Sequence, residues 1–295
     1  MIDKLQMFIT LAQTRHFGRA AEALGITQPS LSSGIRQLEA QLGVQLVHRG
    51  HRFQGLTPEG NHVLSRALQI VGDVRTLRQE MQAVKTGLSG HLRIGVIPTA
   101  LPMIARVTQK FLERHPNVTL AILSRTSDEI LAGMENLSLD AGVTYLDNEP
   151  LGRLQHVPIY REDYRLICAP SSDYAHRKSL TWAEAAQAPL CLLTGDMQNR
   201  RIINHLLAPA AQPARARIES NSTIALVSHV LTGQWVSIVP LALAEMFTRS
   251  AALRAIPLAG DYIPHSVGLV LPKREPQPPI LAALFDYAQR EFPTD

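Results

Sequence analysis

At 295 residues and 45% hydrophobic content, the chain can bury more than one core, and a small N-terminal unit would leave about 200 residues for another. The formal charge of +4 lies entirely in the head: the first 90 residues hold ten Lys and Arg against six Asp and Glu, and the remaining 205 hold nineteen of each. That asymmetry points to an anionic partner for the head alone. No apolar run approaches the ~18 to 20 residues needed to span a bilayer, and Met1-Ile2-Asp3-Lys4 opens no signal peptide, so a cytoplasmic location is expected. Cys168 and Cys191 sit in apolar segments too far apart for a C-x-x-C motif and read as buried free thiols. The eleven His are scattered, and no H-E-x-x-H, G-x-S-x-G, P-loop or clustered Cys/His spacing is present, so neither an enzyme nor a metal site is expected.

In chain order, Phe17 to Leu24 carries helix formers and a small-residue face, Gly25-Ile26-Thr27 breaks it, and a second helix follows at once. Thr27 suits the N-cap and Pro29 the first turn, and Leu31, Ile35, Leu38 and Leu42 recur at inward-facing helical spacing. The opposite face, Gln28, Ser30, Ser32, Ser33 and Arg36, offers short donors and acceptors and one cation, as base reading and phosphate gripping require. Arg49, His51 and Arg52 then cluster where a wing would reach the neighbouring backbone or minor groove. Thr27, Gln28, Pro29, Ser30, Ser32, Ser33, Arg36, Arg49 and Arg52 are therefore the expected DNA-binding residues. Gly34 inside this helix implies either a close approach to DNA or a soft helix. A bundle whose polar face meets only water is the bland alternative, and the charge placement argues against it.

These residues carry a resemblance. From Phe8 to Gly60, the pattern Phe17-x-Arg19-Ala20-Ala21-x-x-Leu24, Gln28-Pro29-Ser30-Leu31-Ser32, Ile35-Arg36-x-Leu38-Glu39, Leu42-Gly43-x-x-Leu46, Arg49 and Leu56-Thr57-x-x-Gly60 resembles the N-terminal domain of LysR-type transcriptional regulators. Ser33-Gly34 and Val47 depart from the common family residues. The resemblance implies a bacterial regulator, nucleoid-associated in the cytoplasm, that binds an interrupted palindrome of double-stranded DNA and has RNA polymerase as a further partner.

A long helix opens at Thr57-Pro58-Glu59, and Val63, Ala67, Ile70, Val74, Leu77, Met81, Val84 and Leu88 alternate spacings of four and three along it, the a/d seam of a coiled coil. A dimer is expected through this seam, the resemblance adds a tetramer, and Gly87-Leu88-Ser89-Gly90 reads as a hinge.

The remainder alternates strands and helices. The runs are 91–97, 101–115, 118–123, 127–136 and 141–145, then 165–169, 190–193, 202–207, 236–239, 265–271 and 279–292. The expected fold is α/β overall. A winged helix-turn-helix occupies 1–58, a linker helix and hinge 59–90, and a two-lobed α/β body 91–295, with one lobe at 91–162 and 266–295 and the other at 163–265. Such a body binds ligands at strand C-termini, where helix N-termini offer N–H groups. The resemblance agrees, implying a periplasmic-binding-protein-like effector domain. Leu139-Asp140-Ala141-Gly142-Val143 and Val230-x-x-Gly233-x-Trp235-Val236-x-x-Val239-Pro240 resemble family elements, with Trp235 and Leu137 standing where Gly is frequent, near the expected cleft.

Thr99, Ala100, Thr126, Ser127, Thr194, Ser222 and Thr223 lie at the expected turns and suit a carboxylate, although Ser and Thr are also ordinary caps, and Arg125 offers a bidentate clamp. No cofactor is expected beyond a small-molecule effector. Ile97 to Pro102 and Thr144 to Arg153 resemble a LysR-type branch often encoded beside formate dehydrogenase genes, which implies formate or another small anion. The alternatives are an architectural DNA-binding protein, which leaves the two-lobed body unused, and a cysteine-based redox-responsive regulator.

Overall fold

The computed structural model describes residues 1–48, 53–147, 151–152, 154–208, 215–249 and 251–292. It divides into two units, Met1–Gly87 and Leu88–Asp295.

The first unit consists of α1 (Ile2–Thr14), α2 (Phe17–Ala23), α3 (Gln28–Leu42) and α4 (Pro58–Thr86). Leu5, Phe8, Ile9 and Leu11 of α1 bury against Ala20 and Ala21 of α2 and Leu31, Ile35 and Leu38 of α3. The two alanines are the small face that lets the helices approach. Leu42 is 38% exposed, so the inward stripe ends one turn earlier than its spacing predicts. Gly34 is buried, and a Cβ there would lie 2.4 Å from the Met7 Sδ, so its small size serves the α1–α3 contact rather than DNA. After α3, Glu39 Oε1 accepts from the Leu46 and Val47 amides (2.8 and 3.3 Å), and Val47 bridges Leu56 antiparallel at the base of the wing.

The α4 helix starts as its sequence predicts: Thr57 Oγ1 accepts from the Gly60 amide (2.9 Å) and donates to the Gln45 carbonyl (2.6 Å), with Pro58 in the first turn. Its 29 residues span roughly 44 Å at ~1.5 Å per residue. The apolar seam is divided between two partners. Ala67 is buried and Val63 packs beside it in this unit's own core, and Leu88 packs into the core of the second unit. Ile70, Leu77, Met81 and Val84 are exposed, by 45, 56, 52 and 80%.

The second unit is α/β. Its first sheet has the order β2-β1-β3-β11-β4, built from β1 (Gly90–Val96), β2 (Val118–Ser124), β3 (Ala141–Tyr145), β4 (Leu154–Glu162) and β11 (His265–Pro272). The first three strands are parallel, connected by α5 (Leu101–Arg114) and α6 (Ser127–Glu135), and β11 returns antiparallel to both β3 and β4. The second sheet, β6-β10-β5-β9, contains β5 (Tyr164–Cys168), β6 (Leu180–Thr181), β9 (Ser237–Pro240) and β10 (Arg254–Ala259). The parallel pair β7 (Cys191–Leu193) and β8 (Ile218–Ser220) joins it through the bridge Leu190 to Val236. Around this sheet lie α7 (Trp182–Ala186), α8 (Gln198–Leu207), α9 (Thr223–Leu231) and α10 (Leu241–Thr248), and α11 (Pro279–Glu291) closes the chain on the first sheet.

The chain crosses from one sheet to the other at Asp163 and returns before β11. The two crossings are fastened together: Tyr262 Oη donates to Asp163 Oδ1 and accepts from the Tyr164 amide at 3.1 Å, and Arg165 Nη1 lies 2.6 Å from Asp163 Oδ2. Although burial works to raise it, the Asp163 carboxyl is held below its usual range by the Tyr262 hydroxyl and the Arg165 guanidinium.

Two expected weak points prove to lie away from the cleft. Leu137 adopts φ 62°, the left-handed conformation that favours Gly, at the end of α6, and Trp235 packs in the second sheet's core with the Arg217 guanidinium 6.0 Å above its ring.

Candidate functional site

Two sites emerge, one in each unit. In the first, α3 follows α2 after a short turn. Thr27 caps α3, its Oγ1 accepting from the Ser30 amide (3.3 Å) and lying 2.8 Å from Ser30 Oγ. Gln28, Pro29, Ser30 and Arg36 are exposed on one face, Ser32 and Ser33 are half-buried, and Ser33 Oγ accepts from Gln37 Nε2 at 3.4 Å. Gln28, Pro29 and Ser30 therefore sit at the N-terminal end of a second helix whose other face is fixed by the core, with Arg36 about two turns further along, as a recognition helix requires. Arg49, His51 and Arg52 lie outside the described residues.

In the second unit, a small cleft is lined by Ile97, Pro98, Thr99, Thr126, Ser127 and Tyr145 at the ends of β1, β2 and β3, and by Leu193, Met197, Gln198 and Asn199 at the end of β7 and the start of α8. This is the C-terminal edge of parallel strands, where such folds bind ligands. Of the residues expected from sequence, the structure brings Thr99, Thr126 and Ser127 together. Ala100 is buried but does not line the cleft, and Thr194, Ser222 and Thr223 stand off it, Ser222 serving as the cap of α9. Arg125 also lies off the cleft: it is exposed, and its Nη1 donates to the Ser124 carbonyl at 2.8 Å. Neighbours in sequence at a strand end need not face the same space.

The two helix starts at the cleft differ electrostatically. Thr126 caps α6 in a reciprocal box, its Oγ1 accepting from the Glu129 amide (3.2 Å) and its own amide donating to Glu129 Oε2 (2.9 Å), so α6 is already answered by a carboxylate. The α8 start has no side-chain cap at Met197, which leaves first-turn N–H groups and the partial positive helix end for a ligand. The nearby Arg200 cation is already engaged, donating to the Leu193 carbonyl (2.6 Å) and pairing with Glu219 (2.8 Å).

Beneath the cleft lies a polar cluster that sequence inspection missed. Glu162, fully buried at the end of β4, accepts through Oε2 from Tyr145 Oη (2.5 Å) and Tyr164 Oη (2.8 Å), and Asn199 Nδ2 donates to Tyr145 Oη (3.2 Å). Glu162 Oε1, Tyr160 Oη and Thr99 Oγ1 are buried without a hydrogen-bond partner. Burial pushes the Glu162 carboxyl up, against the opposing pull of the Tyr145 and Tyr164 hydroxyls. No local motif announces this cluster, because Tyr145, Glu162 and Asn199 come from separate elements.

The thiols lie elsewhere. Cys168 and Cys191 are buried and off the cleft, and burial raises both, Cys191 to about 11, so neither has the lowered pKa of a reactive thiolate.

A helix-turn-helix in one unit and a two-sheet body with a polar interlobe cleft in the other define a ligand-responsive DNA-binding regulator. Comparison with known families agrees: the "Bacterial regulatory helix-turn-helix protein, lysR family" matches residues 2–61, and the "LysR substrate binding domain" matches residues 85–293. The chain belongs to the LysR family of transcriptional regulators and is a regulator rather than an enzyme. It is similar to a "Probable hydrogen peroxide-inducible genes activator" of Mycobacterium avium, 30% identical over 273 residues, covering 91% of this chain and 87% of the relative. Its fold is similar to full-length OxyR from Pseudomonas aeruginosa (TM-score 0.75, 24% identity, 98% of this chain and 94% of that one). It is similar also to full-length CbnR in complex with its target DNA (TM-score 0.66, 23% identity, 98% and 99% covered). No helix among the described residues is long and apolar enough to cross a membrane.

Proposed function

We propose that the chain regulates transcription from an interrupted palindrome, as a dimer paired through the second half of α4 and assembled further into a tetramer, with a small anionic effector in the interlobe cleft as its signal. Gln28, Ser30, Ser32, Ser33 and Arg36 face the major groove in this reading, Arg49 and Arg52 hold the backbone beside it, and RNA polymerase is a downstream partner. The observation that carries the effector reading is the buried, unpartnered Thr99 hydroxyl in a cleft that also holds the uncapped start of α8. The ligand in this reading is formate or another small carboxylate.

Base reading by the exposed start of α3 is tested by substitution. Gln28→Ala is expected to cost about 1 to 3 kcal/mol at the operator and relax sequence preference, whereas Arg52→Ala weakens all sequences and flattens the salt dependence. Binding titrations on operator and random DNA decide, since equal loss on both for Gln28→Ala would remove its base-reading role.

The cleft is tested by deleting hydroxyls at constant shape. Thr99→Val and Thr126→Val are expected to weaken the response to an effector found by thermal-shift screening, while leaving ligand-free operator binding intact. Thr126→Val also loses the α6 cap, about 1 kcal/mol, so Thr99→Val is the cleaner variant. Full ligand affinity and an unchanged footprint in both variants would place the sensor elsewhere. Ligand and DNA are coupled only through differential affinity for two states, typically ~1 to 3 kcal/mol or roughly 5- to 150-fold.

A further inference from the structure

The direction of the hydrogen bonds beneath the cleft narrows the ligand further. Glu162 is the acceptor at the bottom of the cluster, and the Tyr145 hydroxyl spends its one hydrogen on it. Tyr145, which lines the cleft, keeps only oxygen lone pairs for other partners, one already receiving Asn199 Nδ2. Asn199, having turned its amino group to Tyr145, leaves its carbonyl oxygen as its remaining acceptor. Thr99, 2% exposed, lines the same space close to Glu162, and its Oγ1 has no partner at hydrogen-bond geometry. A threonine hydroxyl has two lone pairs beside its one hydrogen, so Thr99 Oγ1 can accept from a ligand in the cleft.

The floor of the cleft therefore presents acceptors, whereas the α8 start presents backbone donors. A bare carboxylate satisfies the second set and leaves the first unanswered, and a buried acceptor without a donor is costly.

Resting on the effector reading above, we infer that the ligand is a small hydroxy acid, its carboxylate at the α8 start and its hydroxyl donating its one hydrogen to the acceptor group formed by the Thr99, Tyr145 and Asn199 oxygens, with Glu162 the positioning residue that sets this polarity. The inference turns on one hydrogen-bond donor, so it is tested with pairs of acids that differ by one hydroxyl: glycolate against acetate, and lactate against propionate.

Calorimetry and thermal shift on the full-length protein are expected to show each hydroxy acid binding about tenfold or more tightly than its partner. Thr99→Val should reduce that ratio to about threefold or less with acetate affinity unchanged. Glu162→Gln, whose amide can donate to Thr99 and Tyr145 and so reverse the chain, should reduce it likewise. A merely structural loss would weaken both members of a pair together and leave the ratio unmoved. Equal binding of the paired acids to the unmodified protein, or no binding of any of the four at millimolar concentration, overturns the hydroxy-acid inference and leaves the cleft as the effector site. Hydroxy-acid binding that survives unchanged when Thr126→Trp fills the cleft overturns the effector reading itself.

Discussion

Asp at Ile70 or Leu77 is expected to split the α4-paired dimer while each protomer remains folded. Both side chains are about half exposed within the chain, by 45 and 56%, so a charge there meets water in the separate protomer. Ile70, Leu77 and Val84 lie seven residues apart, with Val74 and Met81 between them, and a partner helix would enclose this stripe as an a/d seam. In that seam two carboxylates, one from each helix, would be buried without counter-charges, which costs several kcal/mol, and ~3 kcal/mol is roughly a hundredfold in the dimer constant. Sedimentation at micromolar concentration should show the shift to a smaller species, with operator affinity falling alongside because half-sites are no longer held together. Asp at Val63 would be uninformative, since that side chain packs in the protomer's own core and its loss destabilises the fold itself. An unchanged oligomer with intact operator binding would assign the pairing to another surface.

Gly60→Ala is expected to destabilise the DNA-binding unit strongly and leave the second unit intact. A Cβ at Gly60 would lie 2.0 Å from the Leu46 carbonyl oxygen and 2.9 Å from its carbon, and neither backbone atom can rotate aside. The same stretch is tied twice more, by the Thr57 amide donating to the Leu46 carbonyl (3.0 Å) and by Thr57 Oγ1 donating to the Gln45 carbonyl (2.6 Å). Relieving the overlap means breaking these bonds and shifting the base of the wing, a cost on the order of 3 kcal/mol, or roughly 10 to 20 °C in the melting point of so small a unit. Gly25→Ala is the control: its φ of +65° carries strain, but nothing lies within 4 Å of the added carbon, so about 1 kcal/mol is expected. Circular dichroism and operator binding read the first unit, and ligand-induced thermal shift reads the second. A Gly60→Ala protein with an unchanged melting point and full operator affinity would show that the wing base can yield.

The head was legible in the sequence because its information is local. Caps, a Gly turn and an inward stripe fall within one short segment, so Thr27, Gln28, Ser30 and Arg36 take the positions their spacing predicts. The parallel core strands were legible for the same reason, each being a continuous apolar run. Those that were missed lack that signal: β4 is an edge strand with Pro158 and charged residues, β10 has its apolar run interrupted by Pro257, and β6 and β8 are two and three residues long. The seam of α4 shows where periodicity stops. A repeat of apolar residues states that they will be buried, but it does not say against what; tertiary packing assigned Val63 and Ala67 to the first unit's core and Leu88 to the second's, leaving Ile70, Leu77, Met81 and Val84 exposed. The cleft shows the same limit more sharply. Small hydroxyls at strand ends were visible, but Thr99, Thr126 and Ser127 were separated from Arg125, Thr194, Ser222 and Thr223 only when the strand ends were placed in space. The acid, hydroxyls and amide beneath them, contributed by β3, β4, β5 and α8, have no local signature, because a buried polar cluster is defined by which groups meet out of water rather than by which follow one another along the chain.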